Sequence, residues 1–142
     1  PGDFYSSLVP NLLVSGIPEA IRRSRARKIY IANLMTKQNH TDWFTVGDYV
    51  RAMESFLGGK FDYVVYNTRR PTARILKRYA HEGERFVEPG KALPGRTYVG
   101  ADLVSRKAVE VGRGDPLASQ RTLIRHDSDR LSRILLRLIA RP

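Results

Sequence analysis

The feature that most limits what this chain can become is a change of hydrophobic period. Lys28-Ile29-Tyr30-Ile31-Ala32-Asn33-Leu34 and Phe61-Asp62-Tyr63-Val64-Val65-Tyr66-Asn67 are β-branched, aromatic and nearly uninterrupted, the pattern of strands covered on both faces. Between them Val46, Tyr49, Val50, Met53 and Leu57 recur at helical spacing until Gly58-Gly59 stop the run. Strand, helix and strand in that order imply parallel pairing through right-handed crossovers. The expected class is therefore α/β, with the Lys28–Leu34 run as its central strand.

The remaining punctuation fits this reading. Ser7 can cap a short helix through Val14, with Pro10 in its first turn and Gly16 ending it. Pro18 restarts a second helix to about Ser24. Thr45-Val46-Gly47-Asp48 resembles a capping box, with Asp48 reaching back to the open helix end. Pro71 to Ala80 reads as a helix, Arg85 to Glu88 as a short strand, and Pro89 to Ser119 as loops and strand edges around Tyr98-Val99 and Ala108-Val109-Glu110-Val111. Thr122 to Arg125 looks like a last strand, and Asp127 or Ser128 caps a helix whose stripe includes Leu131, Ile134, Leu135 and Leu138.

A chain of 142 residues that is 42% hydrophobic suits one folded unit. No apolar run approaches the ~20 residues of a bilayer-spanning helix and no signal pattern opens the chain, so no membrane span is expected. With no cysteine, disulfides, thiolate metal sites and cysteine nucleophiles are excluded, and a cytoplasmic location is expected. The chain begins with Pro1, in what reads as the middle of a loop, so a preceding segment is expected. A net charge of +11 attracts phosphates. The basic residues are spread along the chain and the aromatics fall inside strand patterns, so nucleic acid is ranked low.

In doubly wound sheets ligands bind at the carboxyl ends of the strands, where loops diverge and helix N-termini present free N–H groups. Three loops qualify. Gly2-Asp3-Phe4-Tyr5-Ser6-Ser7 offers a close backbone and two hydroxyls to a phosphate, or is simply a Ser cap. The long polar loop from Asn33 to Asp48 carries Asn33, Thr36, Asp42 and Thr45, although Thr45 and Asp48 can equally be only a cap. Arg125-His126-Asp127 places a fixed cation beside a helix start. His40 with Asp42 is too sparse for a metal site. No nucleophile elbow, zinc-protease helix or phosphate-binding P-loop pattern occurs, and no catalytic residue is assigned.

Pro1-Gly2-Asp3-Phe4-Tyr5-Ser6-Ser7-Leu8-Val9-Pro10-Asn11-Leu12-Leu13-Val14 strongly resembles the G-P-G-[SD]-x-Y-[TS]-S-x-x-P-N-L-L-V segment of YvcK-type gluconeogenesis factors. The likeness continues through Gly16–Ile21, Lys28–Thr36, Thr41-Asp42-Trp43-Phe44-Thr45, Asp62–Asn67 and Arg125-His126-Asp127. The chain thus resembles the C-terminal portion of the CofD/YvcK-like superfamily, which also holds 2-phospho-L-lactate transferase. The resemblance implies a Rossmann-like three-layer fold and commonly a homodimer. It also implies a UDP-sugar-binding regulator of carbon metabolism and cell-envelope synthesis, with Gly2, Asp3, Ser6, Ser7, Asn33, Thr36, Asp42, Thr45 and Arg125 touching the ligand. The transferase branch instead moves a phospholactyl group onto a deazaflavin with a metal ion, Mg2+; the Asn33-to-Thr36 and Thr41-to-Thr45 patterns fit the regulator branch better. The family's N-terminal glycine-rich strand-turn-helix is absent, so the chain reads as part of a larger domain. Trp43 stands where a glycine is more usual, to stack on a base, narrow the pocket or lie on the surface.

Overall fold

A computed structural model of the chain describes residues 2–106 and 124–140. It opens with a π-helical turn, Phe4–Leu8, that runs into helix α1 (Val9–Leu13). The helical stretch starts before Ser7 because Asp3 is the cap: its carboxylate accepts the Ser6 amide at 3.1 Å. Then follow α2 (Ile17–Arg23), β1 (Ile29–Ile31), α3 (Val46–Leu57), β2 (Tyr63–Asn67), α4 (Ala73–His81), β3 (Thr97–Ala101) and α5 (Ser128–Ile139).

The three strands are all parallel, in the order β1-β2-β3, so the α/β expectation holds. The central position is a correction: β2 occupies it, and β1 lies at the edge of the described sheet. An uninterrupted apolar run reports that both faces of a strand are covered, and helices cover edge and middle strands alike. Pairing therefore cannot be read from it. Along the open side of β1 runs an apolar groove of about 400 Å³, walled by Leu8, Leu12, Ile21, Met53, Leu57 and Phe61.

The register explains the layers. Tyr30 pairs with Val64 and Val64 with Tyr98; Tyr30 and Val64 pack with Phe4, Val9, Tyr49, Val50 and Met53, and Tyr98 packs against that cluster. On the opposite face Val65 and Leu103 meet Leu138, with Ile29, Ile31, Val99, Leu131 and Ile134 packed around them. The alternation along each strand thus sends one set of side chains to α1 and α3 and the other to α5. Val64 and Val65 are both fully buried, each contributing roughly 1.5–3 kcal/mol through apolar burial. The Glu54–Arg96 ion pair, buried on both sides, ties the start of β3 to α3.

Helix α3 forms as its sequence dictates. Thr45 and Asp48 make a reciprocal capping box, and Gly58 closes the other end in a left-handed conformation, φ 65°. Residues 85–88 depart from expectation. They do not join the parallel sheet; after the left-handed turn at Gly83, φ 69°, the chain runs back so that Phe86 bridges Met35 in antiparallel fashion. The Thr36 amide donates to the Arg85 carbonyl and the Val87 amide to that of Leu34. The third parallel strand is Thr97–Ala101 instead. Of the expected last strand, Thr122 and Leu123 lie outside the described residues, as do residues 108–111; His126 makes an antiparallel bridge to Val104.

Candidate functional site

The first turn, the end of β1 and the segment before α5 converge at the carboxyl edge of the sheet. The Asn33 side-chain amide donates to the Gly2 carbonyl at 3.0 Å. The His126 ring hydrogen-bonds the Ala32 carbonyl. The Ser105 amide donates to the Arg125 carbonyl and the Asp127 amide to that of Leu103, fixing that segment beside the end of β3. Gly2, Asn33 and Arg125, far apart in sequence, are thereby anchored to the same edge.

Within the first turn Ser6 Oγ donates to the Asp3 carboxylate at 2.7 Å. Burial pulls the Asp3 carboxyl up, but the Ser6 donors, with His40 and Lys37 nearby, outweigh it and hold the group below the ordinary carboxylate range. Gly2 lies so close over Ser7 that a Cβ there would come within 2.6 Å of the Ser7 Cβ, which is why a side chain does not fit. Ser7 is exposed, and among the described residues no hydrogen bond engages its hydroxyl.

The long loop is occupied by its own fold. Thr36 is buried and its Oγ1 accepts the Arg85 amide at 2.9 Å. Thr41, also buried, accepts the Tyr49 hydroxyl and the Lys37 amide, both at 2.8 Å. Thr45 Oγ1 donates to Asp48 at 2.7 Å, and these Thr45 donors, with Arg51 next to them, hold the Asp48 carboxyl below its usual range. The chain then crosses over this helix start: a Cβ on Gly90, whose φ is 64°, would stand 2.4 Å from Thr45, and one on Gly47 would stand 2.4 Å from the Lys91 carbonyl oxygen. Thr36 and Thr45 therefore face protein atoms, while Asp42 is half-buried with no side-chain hydrogen bond among the described residues.

Arg125 differs. It is exposed, and no hydrogen bond or ion pair holds its guanidinium among the described residues. Beside it, burial lowers the His126 imidazole to about 4 against the partial offset of its bond to Ala32, so the ring is neutral near pH 7. His126 Nε2 is shielded from water and has no hydrogen-bond partner among the described residues.

Sequence reasoning missed a second cation cluster. Asp102, just past β3, accepts Arg130 at 2.7 Å and Arg69 at 2.9 Å, with Arg106 at 3.4 Å. Burial raises its carboxyl, yet the Arg69 and Arg130 guanidiniums overcome this and bring it to about 2. Asn67 at the end of β2 supports the same corner by accepting the Leu103 amide at 3.0 Å. The signal in the sequence was polar residues ending apolar runs, which does not reveal that they meet. No three of His, Asp and Glu stand close enough to hold a metal ion among the described residues. No helix among them is long and apolar enough to cross a membrane.

Known proteins resemble this chain in sequence and fold. The family model for 2-phospho-L-lactate transferase CofD matches residues 1–106. The chain is 38% identical over 138 residues to a putative gluconeogenesis factor of Thermotoga maritima, covering 97% of this chain and 42% of that protein. It is 31% identical over 142 residues to the gluconeogenesis factor of Bacillus subtilis, covering 98% of this chain and 41% of that one. A crystal structure of a UPF0052-family protein from Bacillus halodurans superposes with a TM-score of 0.78 at 29% identity, over 96% of this chain and 41% of its own. The chain thus spans about two fifths of the length of these relatives. With a three-stranded parallel sheet between helices, polar turns gathered at its carboxyl edge and a family match over most of its length, the chain belongs to the CofD family.

Proposed function

We propose that this chain is part of a nucleotide-sugar-binding regulator of the gluconeogenesis-factor type, taking a UDP-sugar at the carboxyl edge of its sheet and acting on carbon metabolism and cell-envelope synthesis. The observation that carries the reading is the exposed guanidinium of Arg125, engaged by no hydrogen bond or ion pair among the described residues and held by backbone bonds beside the end of β3, at the same carboxyl edge where Asn33 meets the Gly2 turn. A fixed arginine binds a diphosphate through paired, charge-assisted hydrogen bonds. The Ser7 hydroxyl and the exposed backbone of Gly2 add polar contacts on the same edge. Similarity to proteins named gluconeogenesis factor supports the regulator. A phospholactyl transferase acting on a deazaflavin is the second reading, favoured by the family model's own description.

The remaining length of the relatives bears on this proposal. Isothermal titration of UDP-N-acetylglucosamine into the chain and into a form extended N-terminally tests it. Binding in the extended form, weakened roughly 10- to 100-fold by Arg125→Ala, is expected from the ~1.5–3 kcal/mol of charge-assisted hydrogen bonds. No binding in either form, with phospholactyl transfer to a deazaflavin, would replace the regulator with the transferase.

A further inference from the structure

We propose that Trp43 is the stacking platform for the base of the bound nucleotide, an inference that rests on the nucleotide reading above. Trp43 is 75% exposed. The Arg85 guanidinium lies over its ring, 4.0 Å from the centroid, so cation–π attraction holds one face and leaves the other to solvent.

The indole is carried by a rigid frame. The Lys37 amide donates to Thr41 Oγ1 and the Thr41 amide to the Lys37 carbonyl, the Phe44 amide donates to the Thr41 carbonyl, and the Tyr49 hydroxyl anchors Thr41 from the core. Arg85 is fixed by two bonds to Thr36, one through each backbone amide. A ligand meeting a side chain already held in place forgoes little conformational entropy, and an indole has only two side-chain torsions to lose. The frame also reaches the candidate site: His40, in the same loop, packs edge-on against Tyr5 at 6.3 Å, and Tyr5 belongs to the turn that carries Asp3, Ser6 and Ser7.

The surroundings favour a base over a protein partner. Protein docking surfaces have contiguous apolar cores, whereas Trp43 follows Asp42 in the chain and carries the Arg85 guanidinium over its ring. Of the other large exposed apolar side chains among the described residues, Leu13, Val14 and Ile17 lie around α1 and α2 and Leu136 and Ile139 on α5, while Tyr5 lies in the first turn, against His40 of the same loop as Trp43. An exposed indole face backed by a guanidinium suits a flat heterocycle whose edges remain wet.

Trp43 is the only tryptophan in the chain, so its emission reports on the site. UDP, UDP-N-acetylglucosamine and the base-free N-acetylglucosamine 1-phosphate would be titrated into the chain and its extended form, exciting where uracil does not absorb. The wild-type signal is compared with W43G and W43F, and calorimetry and circular dichroism are run on the same samples. The expected result is quenching by the two uridine compounds only, with uridine-nucleotide affinity about 10-fold weaker in W43G and partly restored in W43F. Unchanged emission with equal affinity in folded W43G overturns the platform and leaves the nucleotide reading standing. Equal quenching by the base-free sugar phosphate also overturns it. No uridine-nucleotide binding in either form overturns the reading and the platform together.

Discussion

From Asn33 to Asp48 nearly every hydroxyl bonds the protein itself, whereas the neighbouring segment Ile124–Asp127 holds Arg125 in solvent and leaves His126 Nε2 without a hydrogen-bond partner among the described residues. Both stretches are polar, both adjoin a carboxyl strand end, and both match the family's spacing. Their difference is in how their polar groups are spent. Thr36, Thr41 and Thr45 fix a loop and a helix start; Arg125 is fixed by its backbone and keeps its side chain available. Polar density after a strand thus marks a place where the backbone needs partners, and unspent groups mark where a ligand can find them.

The largest test of the contrast is a pH titration of stability. His126 has a folded pKa of about 4, below the ordinary 6.5, so the unfolded chain takes up the proton first. Its contribution is complete above pH 6.5 and is lost as pH falls toward 4. Each pH unit across that window costs about 1.4 kcal/mol, at most about 3 kcal/mol in all. Urea unfolding at stepped pH should show this slope, and His126→Gln should flatten it. Asp102, held at about 2, adds its loss only below pH 4. A slope unchanged in His126→Gln would mean that the imidazole is not buried neutral.

Thr41→Val comes next. It leaves the Tyr49 hydroxyl and the Lys37 amide without their shared acceptor, and should cost about 2 kcal/mol in urea midpoint stability. It should also loosen the frame behind Trp43.

The smallest effect discriminates best. Thr45→Ala removes the α3 cap and should cost about 1 kcal/mol in thermal unfolding, with nucleotide affinity unchanged. Affinity lost at unchanged stability would make Thr45 a ligand contact and erase the difference between the two loops.

Much of the fold was legible. The cap at Thr45 and Asp48, the stop at Gly58 and the Asp127 cap of α5 are local decisions made within a few residues, and each stands where the sequence indicates. The misreadings involve one local competitor and one distant partner. The Ser7 cap gave way to Asp3, which gains Ser6 as a double donor; the Arg85–Glu88 segment was drawn to Leu34–Thr36 and away from the sheet. At the site, Gly2, Asn33 and Arg125 were nameable from type and spacing, but the Asp102 cluster of Arg69, Arg106 and Arg130 was not. Its members sit in three separate stretches, each of which reads as ordinary surface charge.

The sequence by itself determined the helix α3, the strands β1 and β2, the helix α5 and that parallel pairing would follow, because period, caps and crossover handedness act over short stretches of chain. The tertiary structure alone decided that β1 lies at the edge of the described sheet, that the Asn33–Asp48 hydroxyls are consumed internally and that Arg125 is left open. Those outcomes depend on which groups meet across the fold, and a hydrogen bond satisfied by a distant residue leaves no mark on the local pattern of either partner.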